Sequence, residues 1–304
     1  MTIIFQGLAP IFLLILFGYA CKVKHFPGDA FWPMAERVTY YVFFPALLFS
    51  NLAKAPLEGL PAASMAIILF GTTTLASLLL LALRAGIRSG GPAFTSVFQG
   101  GIRMNTYVGI AAAAAIFGEI GLTLSAIAMA TLIPLVNIYC VWVMLRYASE
   151  RKEGLLKVFH ALFRNPLILA CAAGIVVNLA HIPLPLFLLN TAEILGRVSL
   201  PLGLLSVGAG LSFGASIRSW KELGMSSSVK LIVYPGITLL ACQFFALDAT
   251  ATAIAVLFTA VPTSVSSYIL ARQMGGDTTL MASIITWQVI FAAVTIPVFL
   301  ALAT

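Results

Sequence analysis

Charged residues in this chain fall mostly at the ends of apolar runs, and each run is about as long as a bilayer is thick. A helix must carry roughly 20 apolar residues to cross the hydrocarbon layer. Bounded by Gly, Pro and charge, ten runs of that kind are read at 4–21, 30–53, 62–84, 93–117, 121–145, 165–181, 186–211, 227–247, 250–271 and 279–302. They consume most of the 304 residues and leave no length for a separate soluble domain. Only 9% of the residues are charged, against about a quarter in a soluble domain. The lipid bilayer is therefore the first partner, and the expectation is an all-α, multi-pass protein of the cell (inner) membrane.

The net charge of +7 is no sign of nucleic acid, because no basic stretch is interleaved with polar, soluble sequence. Basic residues of membrane proteins concentrate in cytoplasmic loops. One set of alternate loops holds Lys22, Lys24, Arg84, Arg88, Arg146, Arg151, Lys152, Lys157, Arg164, Arg218, Lys221, Lys230 and Arg272, thirteen cations in all. The opposite set, with both termini, holds Lys54 alone. Both termini are thus expected outside and the polar 146–164 connection in the cytoplasm. Met1 to Leu16 has no cation before its apolar core, so the first run reads as a retained helix and not a signal peptide. Cys21, Cys140, Cys171 and Cys242, like His25, His160 and His181, stand singly, without metal or redox spacing. No metal and no cofactor is expected.

A shift of 156 residues superposes one half of the chain on the other. It pairs Pro10 with Pro166, Gly18 with Gly174, His25 with His181, Pro27 with Pro183, Pro45 with Pro201 and Ser50 with Ser206. Leucines and alanines match by chance in an apolar chain, but Pro, Gly and His pairs at one offset do not. The expected organisation is a five-helix repeat over 1–148, a cytoplasmic linker over 149–164, and a second repeat over 165–304. Five is odd, so the second repeat enters the membrane with opposite polarity. Inverted repeats are the architecture of many secondary transporters.

Such carriers bind substrate near the midplane, where helices break and expose backbone groups. Span 4 reads Gly100-Gly101-Ile102-Arg103-Met104-Asn105-Thr106-Tyr107-Val108-Gly109, and span 9 reads Val261-Pro262-Thr263-Ser264-Val265-Ser266-Ser267. A shift of 157 aligns Thr106 with Thr263 and Gly118 with Gly275, which makes the two interruptions equivalent. Proline lacks a backbone donor, and Gly and hydroxyl residues tolerate unwinding. The half-helices that follow would aim their positive N-terminal dipoles at the protein centre, a setting for an anion. Pro, Ser and Gly are also ordinary in membrane helices and often only kink them; the paired positions favour the break.

These same residues resemble those of the auxin efflux carrier family, which includes the plant PIN-type carriers and bacterial proteins often labelled malonate transporters. The resemblance is carried by Phe44-Pro45-Ala46-Leu47-Leu48-Phe49, by Asn105-Thr106 with Gly109, and by Pro262 through Ala271-Arg272. It extends over essentially the whole chain. It implies a bile-acid-sodium-symporter-like fold with broken, crossing helices 4 and 9, scaffold and transport domains, and movement of a small organic anion. Plant carriers usually place proline before that asparagine and have a far longer central loop; here Met104 precedes it.

The candidate substrate-binding residues are Arg103, Asn105, Thr106, Pro262, Thr263 and Ser264, with Ser50, Asn51, Asn137 and Ser206 as polar positions on apolar spans. Arg103 reads either as a clamp for a carboxylate or as half of a buried ion pair, with Glu193 the candidate partner. Glu193 and Arg197, spaced i,i+4, read as a mutual ion pair or as a coupling site. The function expected is secondary transport of a small organic anion by alternating access. A passive anion channel is the runner-up, and an intramembrane enzyme lacks any visible nucleophile, acid–base pair or metal cluster. A homodimer is the candidate assembly. The topology is tested by cysteine labelling at Ser149 and Thr304 in a cysteine-free background. Thr304 is expected to label from outside intact cells, and labelling of position 149 from that side would reverse the orientation.

Overall fold

The computed structural model describes residues 2–55, 60–84, 90–148, 166–212 and 219–304. The expected linker over 149–164 lies outside the described residues. Among those residues the chain is helical, with no strand, in thirteen α-helices. In chain order they are α1 (Thr2–Val23), α2 (Phe31–Val38), α3 (Phe44–Lys54), α4 (Ala62–Leu83), α5 (Gly91–Ile102), α6 (Thr106–Tyr147) and α7 (Pro166–Leu179). Then follow α8 (Leu186–Ala209), α9 (Trp220–Ser228), α10 (Tyr234–Phe244), α11 (Ala249–Ala260), α12 (Ser266–Met274) and α13 (Thr278–Ala303). Two π-turns, Thr39–Phe43 and Val229–Val233, join α2 to α3 and α9 to α10 without leaving helical backbone.

Among the described residues, six stretches are long and apolar enough by themselves to cross a membrane: Ile4–Val23, Ala62–Leu83, Gly91–Tyr147, Leu186–Ala209, Trp220–Phe244 and Thr278–Ala303. Their outer faces carry large apolar side chains in the open, such as Phe5, Ile67, Leu186 and Phe244. In water such a surface would drive aggregation; against lipid tails it is the stable arrangement. The chain is an integral membrane protein.

Two differences from the sequence reading stand out. The eighth run starts at Trp220, seven residues before the expected 227, so Lys230 is fully buried and not a loop cation. Its flanking serines made the edge of the run look polar, although they too are folded into the helix. The second difference is α6, which joins the end of span 4 to span 5. Forty-two helical residues would extend roughly 60 Å at 1.5 Å per residue, about twice the hydrocarbon thickness. Gly118, at φ +59° and ψ −138°, is the non-helical residue that divides it.

Matched backbone details recur at the repeat offset. His25 and His181 both have positive φ, at 53° and 49°. Each ends its helix in a Schellman turn: Phe26 N–H donates to Cys21 O and His25 N–H to Lys22 O, as Ile182 N–H does to Val177 O and His181 N–H to Asn178 O. Gly118 and Gly275 also share positive φ. Gly18 lies bare against the Leu205 carbonyl, while Gly174 lies against the Phe49 carbonyl and Leu52. These two contacts are reciprocal, since 18 pairs with 174 and 49 with 205.

α5 and α11 sit deepest. Every residue from Ala93 to Ile102 and from Ala251 to Ala260 is buried, so each helix is enclosed by protein on all sides. Their polar side chains turn to protein partners, as Ser96 Oγ donates to the Asp277 carbonyl and Thr259 Oγ1 to the Val256 carbonyl. Around them, α1 packs on α8 through glycine: a Cβ on Gly208 would overlap the Ile15 carbonyl. Gly208→Val should therefore force α1 off α8 and lower stability by about 1–3 kcal/mol or more, whereas Gly71→Ala, which meets nothing within 4 Å, should be neutral. Thermal melts in detergent compare them, and equal melting of both variants would refute the close packing.

Candidate functional site

Helical backbone stops twice at the centre of the protein. α5 ends at Ile102, and Arg103 (ψ 155°) and Asn105 (ψ 99°) are extended. α11 ends at Ala260, and Val261 (ψ 147°) is extended before Pro262. The interruptions touch, with Asn105 N–H donating to the Pro262 carbonyl at 2.7 Å. Span 4 is thus broken at Asn105 and span 9 at Pro262, and they meet.

A broken helix strands donors and acceptors, and here named groups take them up. The Asn105 side-chain oxygen accepts from Val108 N–H at 3.3 Å, capping the start of α6. Its carbonyl accepts from Gly109 N–H. Gln288, fully buried on α13, accepts from Thr263 N–H at 2.9 Å and donates to the Gly100 carbonyl at 3.0 Å. One amide thereby bridges both breaks. On the far side, Lys230 Nζ donates to the Thr259 carbonyl at 2.9 Å. Ser264 Oγ accepts from Ser266 N–H at the start of α12.

Beside the contact lies a cavity of about 90 Å³, well above the roughly 10–15 Å³ that a single water needs. Arg103, Thr106, Asn137, Ser264 and Ser266 supply its polar wall. Glu36, Tyr40, Phe44 and Tyr107 close it from α2, the π-turn, α3 and α6. Arg103 donates to Asn137 Oδ1 at 3.0 Å and to Ser266 Oγ at 3.1 Å, both neutral partners. Its Nε, and the Nδ2 of buried Asn105, are donors without a hydrogen-bond partner among the described residues. The N-terminal ends of α6 and α12, at Thr106 and Ser266, reach the same cavity. The wall thus carries donors from Arg103 and two helix starts, whose dipoles add positive potential, and one carboxylate, Glu36.

The sequence-derived candidates divide into groups. Arg103, Thr106, Asn137 and Ser264 line this cavity. Asn105 and Pro262 form the contact between breaks, and Thr263 supplies its N–H to Gln288 and its hydroxyl to a bond with Ser267. Ser50 and Asn51 line a second cavity of about 370 Å³ with Lys54, Glu119, Glu193 and Arg197. Both donate to the Leu47 carbonyl of their own helix. Ser206 likewise donates to Leu202 O and lines neither cavity. The cavities follow one another along a single rod, with Glu36, Tyr40 and Phe44 on the first and Leu47, Ser50 and Lys54 on the second. Phe44 and Tyr107 pack ring to ring at 4.8 Å, and Tyr107 also lies on bare Gly203.

Two expected ion pairs do not form. Glu193 pairs with Lys54, at the end of α3, and with neither Arg103 nor Arg197. Lys54 was assigned to a loop by its position past the run, but α3 carries it to the side of α8. Arg103 makes no ion pair among the described residues. Gln288 was missed because a single amide in an apolar run looks like any tolerated polar residue. Lys230 was misplaced because basic residues at the edge of a run normally mark its end.

The profile of the membrane transport protein family matches residues 3–300 of the chain. A protein of Rhizobium meliloti named "Putative malonate transporter" is 25% identical over 283 residues, covering 88% of this chain and 85% of its own. An uncharacterized transporter of Methanothermobacter thermautotrophicus is 27% identical over 295 residues, covering 95% of both.

Gln288→Leu keeps the volume but leaves Thr263 N–H and the Gly100 carbonyl without their partner. Each buried orphan costs about 1–3 kcal/mol, so this variant should melt well below wild type, while Gln288→Glu, whose neutral acid both accepts from Thr263 and donates to Gly100, should lose less at a pH low enough to keep it protonated. Thermal melts of the purified proteins test this, and wild-type melting of Gln288→Leu would contradict the bridging role.

Proposed function

The chain belongs to the membrane transport protein family, the auxin efflux carrier family of the sequence resemblance, and we propose that it is a secondary carrier binding a small organic anion at the contact between its two helix breaks. The observation that carries the reading is the donor set around the first cavity. Arg103 has neutral partners and a spare N–H, the N-terminal ends of α6 and α12 reach the same wall, and Asn105, with a spare amide donor of its own, lies at the adjoining contact between the breaks. An anionic carboxylate satisfies all of these at once. Malonate, the compound in one relative's name, is the first substrate to test.

The architecture we propose is ten spans in two inverted five-helix repeats, 1–148 and 165–304, with both termini outside. The sequence offset, the recurring Schellman turns and the reciprocal Gly18–Leu205 and Gly174–Phe49 contacts support it. The two separate cavities support alternating access. Phe44 and Tyr107, ring to ring, line the first, and Leu47, one turn further along the same rod, lines the second, so the reading assigns those rings to the closure between them. A pore would need no such closure.

Asn105→Ala removes a directed hydrogen bond and should weaken substrate binding by about 1–2 kcal/mol, roughly five- to thirtyfold. Arg103→Gln should weaken it as much or more while leaving the melting point near wild type, because Arg103 balances no buried carboxylate within ion-pair distance. Uptake of radiolabelled malonate and other mono- and dicarboxylates into proteoliposomes, with melts alongside, measures both. Wild-type affinity in Asn105→Ala would dismiss the crossover site, and collapse of Arg103→Gln would make that residue structural.

A further inference from the structure

The Lys230 side chain is fully buried, with no carboxylate within ion-pair distance of its Nζ among the described residues. A charge at membrane depth is costly unless something there balances it. Three features do so. Its Nζ donates to the Thr259 carbonyl at 2.9 Å, one of the last carbonyls of α11, which the break at Val261 leaves without a helical partner. The C-terminal end of a helix carries roughly half a negative charge. The ring face of Tyr234 lies 4.9 Å from the same nitrogen, a second attraction for a cation. The residue also sits in the π-turn Val229–Val233, packed against α4, α5, α11 and α13; such widened turns are frequent at functional positions.

The C-terminal ends of broken helices are where carriers coordinate dissociable coupling cations, through exposed carbonyls. We propose that the Lys230 ammonium is a tethered cation occupying that position at the end of α11, so that this protein works without a bound sodium ion there. The proposal rests on the carrier reading above and adds how the crossover is charged. An ammonium carries the charge of sodium and three donors in place of its coordination bonds. Being covalently held, it cannot be released with the substrate, and a sodium gradient cannot drive transport through it. Positive potential from Lys230 adds to that of Arg103 on the other side of the breaks.

The test uses the full chain and needs no substrate for its first arm. Wild-type protein should melt at the same temperature in sodium chloride and in choline chloride of equal ionic strength. Lys230→Ala should melt about 5 °C or more lower in choline and recover at least half of that loss when sodium or ethylammonium replaces choline. Saturable stabilisation of the wild type by millimolar sodium would overturn the proposal, as would a Lys230→Ala protein with wild-type melting and transport. Where Lys230→Ala does not fold, the wild-type sodium titration decides by itself. The second arm is malonate uptake by wild-type proteoliposomes with choline as the only added cation. Uptake that needs sodium overturns the proposal. No malonate uptake in either salt, with the melts as expected, supports the tethered charge and counts against malonate as the substrate.

Discussion

Backbone hydrogen bonding inside a hydrocarbon layer is the constraint on which everything else here depends. Lipid offers no partner for an open N–H or C=O, so irregular backbone at that depth is tolerated only when protein encloses it. The chain interrupts two helices and must therefore bury both. This explains why α5 and α11 are covered on every side, and why other helices are spent on lipid contact. It also explains where three of the buried polar side chains are aimed. Asn105, Gln288 and Lys230 each satisfy a backbone group that a break would otherwise strand.

That accounting also creates the chemistry. A helix N-terminus always presents orphan donors, and the starts of α6 and α12 place theirs beside one cavity. The C-terminal side of the same interruption presents orphan acceptors, and Lys230 covers one of them. One structural device thus yields helix starts that present donors and a helix end that presents acceptors, a short distance apart in sequence. Arg103 lies beside the first set, with neutral hydrogen-bond partners.

Close helix packing serves the same end. Gly18, Gly208 and Gly174 let α1, α3, α7 and α8 approach backbone to backbone, as small residues do between membrane helices. Gly203 instead makes room for Tyr107, whose ring meets Phe44 where the first cavity ends. The rod from Phe31 to Lys54 borders both cavities in succession, so motion along or against it would be felt by both.

Much was legible in the sequence because bilayer thickness acts on consecutive residues. Run length and charge deficit identify a membrane protein, and Pro262 and the Gly100–Gly101 pair mark broken helices by what their own backbone can do. That Asn105 also caps α6 is visible only in the fold. What runs of residues cannot report is who faces whom across the bundle. Lys54 meets Glu193 across 139 positions, and Gln288 reaches Gly100 across 188. Lys230, which sequence position places at a membrane surface, is drawn to the centre because the end of α11 needs a donor there. Sequence alone determined where helices form and where they fail; only tertiary packing decided which distant side chain answers each failure, because an orphaned backbone group accepts any donor or acceptor that folding brings within about 3 Å.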